Sequence, residues 1–523
     1  MYLSLILMTV KAVLVLTAAV CGFSALVRKE DAAWVRKAPL WLFLSMYLIG
    51  TFGHTYWVAY AALLLALPIA AKNRADAAAL YCILVVSMPL LSQQLIFGSF
   101  YLIAGSKYLF CALGLGIAYL MNRGRDTVLH RARFAFPALL LVVLELSQAR
   151  DPSVTATIRQ CLPPLLTILL PYFVLSRSLN NAEDVRRFLL AFALSGFAMA
   201  AVATVEARLH WLIYKNLEGL LNIHTSINGY SKMRAGMLRA PASFPESTTL
   251  ATFLVLAFMA VVALRDSFAS RIKWYVALFV LLLGLVSANS RGAFISLGVG
   301  LVAWDLYCRR YGSLAVKLVG AGGAYLFALL AAQFSPYMAA LVGHDAGTAD
   351  TSDYRMQLLR RGMEEIHKHP YLGQNLKTAL DNLQDLKQGE GIVDLVNGYI
   401  GYGLTLGYAG IIGLFLVFVS LCLAMLVIRG KVRRNPQLLE PAACVFAIAS
   451  LSLLNSFFTG FGGVISTSFY QICALGAALW AMRGQVPAAQ GASGGASPTP
   501  LSGLAAMIAA DRDRARAGAT AQA

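Results

Sequence analysis

Arginine pairs bidentately with phosphate oxygens and keeps its charge at any ordinary pH. Arg291 stands inside LLLGLVSANSRGAFISLGVGLVAW (residues 281–304), between two apolar runs. At the centre of a bilayer an arginine costs about 2.5–3.5 kcal/mol on insertion scales. Near an interface it can snorkel, and the cost falls. Ser290 and Arg291 are therefore expected at the outer tip of a hairpin with almost no loop. Two readings compete: a snorkelling turn residue, or an anion clamp facing inward. Arg234 or Arg239, in RAGMLRAPASFPE, and Arg355, in TSDYRMQLLRRGMEEIHKHPYLGQN, could meet Arg291 from separate segments. A diphosphate at the membrane surface is the ligand such a trio fits, and a lipid-linked one would arrive at that height.

The elements that must position these residues are membrane helices. Of 523 residues 59% are hydrophobic and 13% charged, against roughly a quarter charged in soluble domains. Apolar runs of bilayer length recur from Tyr2 to Met482, and they do not alternate as barrel strands do. The expected fold is all-α, a polytopic membrane protein. Net charge is +18, most of it read as the cationic bias of inner loops. No basic, aromatic-interleaved soluble region speaks for nucleic acid. The eight cysteines lie in or beside apolar runs without a CxxC, so neither a zinc site nor a disulfide framework is expected. The first apolar segment lacks a convincing A-x-A cleavage site and reads as a retained span.

Basic clusters at 28–37, 72–74, 123–133, 177–187, 265–273, 309–317 and 429–434 are assigned to the inner face. Between them fit an N-terminal span, a tight hairpin of two short spans within 38–71 around Gly53 and His54, and the pairs 77–92 with 100–121, 134–148 with 161–175, 188–209 with 246–264, 274–289 with 292–307, 318–333 with 404–428, and 441–457 with 465–482. That totals about 15 crossings, within a range of about 12–15. The expected organisation is membrane helices over 1–333 with an outer loop at 210–245, a large outer loop at 334–397, membrane helices over 398–484, and a disordered inner tail over 485–523. Residues 501–516 could add a short surface helix.

Both long outer loops carry basic residues, the second Arg355, Arg360, Arg361, Lys368, Lys377 and Lys387. The first carries Lys215, Lys232, Arg234 and Arg239 against Glu218 and Glu246. Such charge runs against the positive-inside bias, although long loops obey it weakly. In the second loop Ser352 or Asp353 is the expected N-cap of a helix that Pro370 stops, with a chain turn at Gly373. Arg355, Leu358, Leu359, Gly362 and Ile366 share its apolar face, whereas Arg360, Arg361, Glu364 and Glu365 are expected mostly in solvent.

Three blocks in order, SANSRGAFISLGVG, RMQLLRRGMEEIHKHPYLGQN and VDLVNGYIGYGLTLGYAGIIGL, resemble the bacterial O-antigen ligase and Wzy-type polysaccharide polymerase superfamily. The matching positions are Ser290, Arg291, Gly292, Arg355, Pro370, Gly373, Asn397, Tyr399, Gly407 and Gly410, with Arg234, Gly236 and Arg239 in an upstream block. The likeness covers roughly residues 230–430. It implies transfer of a glycan from an undecaprenyl-diphosphate carrier to a sugar hydroxyl at the outer face of the bacterial inner membrane, without metal, cofactor or nucleotide sugar. Arg234, Arg239, Arg291 and Arg355 would hold the diphosphate, and a base would take the acceptor's proton. Membrane lipid, a chain-length regulator and a flippase are the partners it implies. Ligases carry a histidine just before the asparagine of the third block, where this chain has Val396. Asp394, two positions away, is the nearest ionisable substitute and joins Asn397 and Arg291 as the expected catalytic residues; His344, His367 and His369 are further candidates for the base. The missing histidine favours a polymerase of exopolysaccharide, capsule or O-antigen repeat units over a ligase to lipid A core.

A flippase or transporter is the rival class. Lys11, Lys107 and Glu145 are its candidate intramembrane charges, but no half-to-half repeat accompanies them. A non-catalytic assembly subunit has no positive signal. P-loop, G-x-S-x-G and HEXXH motifs are absent.

Overall fold

The computed structural model describes residues 2–97, 100–122, 134–151, 153–223, 233–234, 236–335, 338–339, 342, 346–387, 393–433 and 435–484. The 485–523 tail with its 501–516 segment, His344, Lys232 and the whole 123–133 cluster lie outside them.

The chain is an all-α polytopic membrane protein. Among the described residues eight helices are long and apolar enough to cross a bilayer, and shorter apolar helices at Tyr56–Ala70, Lys107–Met121, Phe136–Ser147 and Ser247–Ala263 accompany them. The Ala182–Leu209 helix runs through the middle, buried along most of its length. Small residues let its neighbours close in: a Cβ on Gly284 would lie 2.5 Å from that of Ala200. Close backbone approach is how membrane helices gain dispersion energy where lipid is as apolar as their own side chains.

Four of the basic clusters are tied together at one end. Arg28 N–H donates to the Ser267 carbonyl at 3.0 Å, Trp34 Nε1 to Asp76 at 2.8 Å, and Arg186 pairs with Asp31 at 2.6 Å. Lys273 Nζ reaches the Ala25 carbonyl at 2.7 Å. From this end the Arg271–Ala288 helix rises about 27 Å at 1.5 Å per residue. It ends at Asn289, in the left-handed conformation (φ 49°), and the Arg291–Cys308 helix starts at once. Arg291 thus occupies a hairpin tip at the opposite end from the basic clusters.

Three expectations are corrected. The 100–121 span begins as a strand: Ser92–Phe97 pairs antiparallel with Phe100–Ser106, and helix starts only at Lys107. The stretch is rich in aromatic and branched residues and alternates, with Leu95 and Ile103 buried and Ile96 exposed. Short apolar strands and buried helix segments look alike in sequence. The loop helix starts at Ala346, before Ser352 and Asp353, and runs to Lys368. The 404–428 span is broken: Gly398–Leu406 ends at Gly407, and Tyr408–Val432 continues beyond it.

Candidate functional site

The segment from Ala346 to Leu406, expected on the outer side from its sequence, folds around its own small core. Leu358 and Ile366 on the loop helix pack with Ala379, Leu383, Leu386, Ile400 and Leu404. Gly362 brings the helix so close that a Cβ there would sit 2.6 Å from the Ile400 side chain. Two glycines clasp the segment to the membrane helices. Gly373 (φ 58°) lies against the backbone of Thr405 and Leu406, and Gly407 (φ 67°) lies against the carbonyl of Pro370. Gln374 N–H donates to the Leu404 carbonyl at 2.9 Å and Tyr408 N–H to the Pro370 carbonyl at 2.8 Å. Both positive φ angles and both close approaches demand glycine.

That clasp fixes which way the loop helix faces, and Arg355 faces the bundle. Its Nη2 donates to the Phe458 carbonyl at 3.4 Å. Phe458 belongs to the turn joining the last two membrane helices, Pro436–Asn455 and Gly463–Met482. The same turn receives the Arg291 tip, because a Cβ on Gly292 would lie 2.8 Å from that of Phe458. Gly398 N–H closes the turn onto the third block, donating to the carbonyls of Ser456 at 2.7 Å and Thr459 at 3.1 Å. Arg291 and Arg355 are both half-buried.

Electrostatics reports the same proximity. Burial first, and then the Arg291 charge, hold the Arg355 guanidinium below its usual value, while Asp394 opposes the shift. A cation close to a like charge resists ionisation, and an anion relieves it. Arg355 Nε is buried with no hydrogen-bond partner among the described residues. An unmet buried donor on a charged group costs more than a neutral one, so an anionic acceptor there would be strongly favoured.

Asp394 is held by its backbone. Its N–H donates to Tyr354 Oη, and Tyr354 O–H donates to its carbonyl, both at 2.9 Å. Burial and the Asp394 charge push the Tyr354 phenol up to about 12. Asn397 is an N-cap: its Oδ1 accepts from Ile400 N–H at 3.2 Å. Arg239 is drawn toward the hairpin by the next residue, Ala240, whose N–H donates to the Ser287 carbonyl at 3.2 Å. Arg234 lies in a two-residue strand pairing with Met237; its side chain is outside the described residues. His367 and His369 sit apart from this group. His367 bonds the Met363 carbonyl at 2.7 Å and Tyr408 Oη at 3.0 Å, and His369 is exposed. Among the described residues no group of three or more His, Cys, Asp or Glu could hold a metal.

Glu365 corrects an expectation. It is buried, not solvated, and takes Lys368 Nζ at 2.5 Å and Asn382 Nδ2 at 3.2 Å. Helical periodicity sees only the helix, and Asn382 comes from the chain beyond it. Tyr354 and the turn at Phe458 were also missed. Tyr354 could have been noticed as the aromatic neighbour of Arg355, whereas the turn carries no motif.

A mainly helical membrane body on which two arginines from separate elements meet at one turn, beside a segment clasped to it, has the chemistry to receive an anion. Residues 276–415 match the family model described as O-antigen ligase. Over that stretch the chain is similar to the O-antigen ligase and Wzy-type polymerase superfamily. That match supports glycan transfer of the ligase or polymerase type in general, with a lipid-linked glycan as substrate class. No curated protein matches the chain.

Proposed function

We propose that this protein transfers a glycan from undecaprenyl diphosphate to a sugar hydroxyl at the periplasmic face of a bacterial inner membrane, and that it polymerises repeat units of exopolysaccharide, capsule or O-antigen. The acceptor oxygen attacks the anomeric carbon and the bond from that carbon to the diphosphate oxygen breaks. The electron pair leaves with the diphosphate, and the acceptor's proton passes to a base. Arg291 and Arg355, with Arg239 and Arg234 from the first outer loop, hold the diphosphate and stabilise the charge it gains on leaving. Asp394 is the base this reading favours, being the carboxylate nearest in sequence to Asn397 and the one that acts on Arg355. Asn397 shapes the site as the cap of the helix entering the membrane.

The observation that carries the reading is the pairing of Arg355, with its unmet buried Nε, and Arg291 across the Phe458 turn. Two guanidinium groups on separate elements match the two phosphates of a leaving group. Val396 in the place of the ligase histidine favours polymerase over ligase. A chain-length regulator and a flippase would act beside such an enzyme.

The test is reconstitution of the full chain in lipid nanodiscs with the host's lipid-linked repeat unit. The wild type should release undecaprenyl diphosphate and build a ladder of chain lengths. Arg291→Ala and Arg355→Ala should each cut the rate about 10²-fold, the scale of losing one donor to a developing negative charge. Wild-type ladders from both variants would refute the reading. Product found only on an added lipid A core would turn it to ligation.

A further inference from the structure

A second polar site lies beyond the turn that holds Arg355. A cavity of about 450 Å³ opens there among Tyr108, Glu145, Gln148, Gln160, Thr405 and Tyr470, with Asn375 at its exposed rim. Ligand sites span about 300–1,000 Å³. For a space among membrane helices it is unusually rich in uncharged hydrogen-bonding groups, and Glu145 is the one ionisable carboxylate in its wall.

Two groups in the wall have hydrogen-bonding capacity to spare. Tyr108 is 7% exposed, and its phenolic oxygen has no partner among the described residues. Glu145 takes the Tyr402 hydroxyl on Oε1, and Oε2 has no hydrogen bond among the described residues. The helical wall is itself irregular. Pro163 and Pro164 precede a π-helical turn at Leu165–Leu169, and Pro164 has no N–H to offer the carbonyl of Gln160. Such turns are frequent at functional sites. In hydrocarbon an irregular backbone survives only where protein or a polar cavity meets its groups.

We infer that this cavity binds a sugar ring of the glycan, taking its hydroxyls on Glu145, Tyr108 and Gln160 and its apolar face on Pro163 and Ile168. Hydroxyl-rich, uncharged ligands suit a wall of amides, hydroxyls and one carboxylate. The inference rests on the glycan-transfer reading and adds to it a second subsite. Its position fits: the turn that bonds Arg355 through Phe458 reaches the cavity at Gly462, and four residues of chain span at most about 14 Å. A glycan whose reducing end meets the arginines would need only a few sugars to reach it.

The probe is the host's own repeat-unit oligosaccharide, cut from its lipid by mild acid so that no diphosphate remains. Its binding to the full chain in nanodiscs is read by saturation-transfer NMR, and undecaprenyl diphosphate binding is measured in parallel. The oligosaccharide should bind the wild type and Arg355→Ala alike, and at least 10-fold more weakly to Glu145→Gln, Tyr108→Phe and Gln160→Trp. Glutamine can still accept from Tyr402, and Gln160 is exposed, so both changes spare the fold. All three should bind undecaprenyl diphosphate as the wild type does. Wild-type oligosaccharide binding by Glu145→Gln and Gln160→Trp, or none by the wild type, would overturn the sugar site and leave the diphosphate reading standing. Loss of undecaprenyl diphosphate binding in Arg355→Ala supports that reading separately.

Discussion

Arg355 donates to the backbone carbonyl of Phe458, a residue 103 positions further along the chain. The contact spends one guanidinium edge on positioning and keeps the buried Nε for something else. Lysine can supply the charge but not both directions of donation. Arg355→Lys should therefore retain binding of undecaprenyl diphosphate within a few-fold while the rate of chain extension falls about 10- to 100-fold. Steady-state kinetics checks this: the loss should fall on kcat, and a loss on KM alone would mean that Arg355 only recruits substrate.

The clasp between Gly373 and Gly407 should be the most substitution-sensitive part of the outer segment. Each alanine would force a strained left-handed residue and press a Cβ into facing backbone. Strain of this kind costs about 1–3 kcal/mol, and overpacking adds about 1–3 more. Gly373→Ala and Gly407→Ala should lower the thermal midpoint and expose the loop helix to protease. Gly320→Ala is the control: nothing lies within 4 Å of its Cβ, so stability should stay level or rise by about 0.5–1 kcal/mol.

Glu365 should make the outer segment acid-sensitive. Burial alone would raise its carboxyl, but the bonds from Lys368 and Asn382 prevail and hold it below the usual carboxylate value. A depressed folded value means that its contribution is complete above the unfolded value of about 4.3 and is lost as pH falls through the folded one. Glu365→Gln should destabilise the segment at pH 7, and the gap to wild type should close on acidification below that unfolded value. Hydrogen exchange on the loop helix at pH 7, with thermal scans down to pH 3, measures both. A gap that stays constant with pH would mean that the charge contributes nothing.

Arg291 and Gly373 were legible in the sequence, because Arg291 interrupts apolar runs and Gly373 turns the chain just past the Pro370 stop. Gly407 was singled out by resemblance alone, and the break it makes in the 404–428 span was not expected. Leu358, Gly362 and Ile366 followed from helical periodicity, which reports one element against everything else. What stayed hidden depends on a second element arriving. The Phe458 turn is an ordinary end of two apolar helices, and its importance lies in what lands on it. Glu365 is solvated by periodicity and buried by Lys368 and Asn382. The strand at Phe100–Ser106 was hidden because its short apolar stretch runs straight into the Lys107–Met121 helix, and such a stretch fits either structure.

Gly292 offers the sharpest test of the arginine pair, because it can move Arg291 without removing it. Alanine there should favour the Arg291–Cys308 helix itself, by about 0.5–1 kcal/mol over glycine. Its methyl would meet Phe458, 2.8 Å from that residue's Cβ, and one of the two must shift. Any shift of the hairpin tip or of the turn changes the spacing between Arg291 and Arg355. Gly292→Ala should therefore leave the thermal midpoint near wild type while chain extension drops about 10-fold or more, as misplacement by an ångström can cost 10²-fold. Phe458→Ala keeps the carbonyl that Arg355 uses but removes the ring. That ring supplies two of the three atoms nearest the Gly292 Cβ and anchors the third, so without it the turn can give way and the double variant should recover part of the activity that Gly292→Ala lost. Additive losses across this cycle would show that the two residues act independently, and the Phe458 turn would then have no part in holding the arginines together.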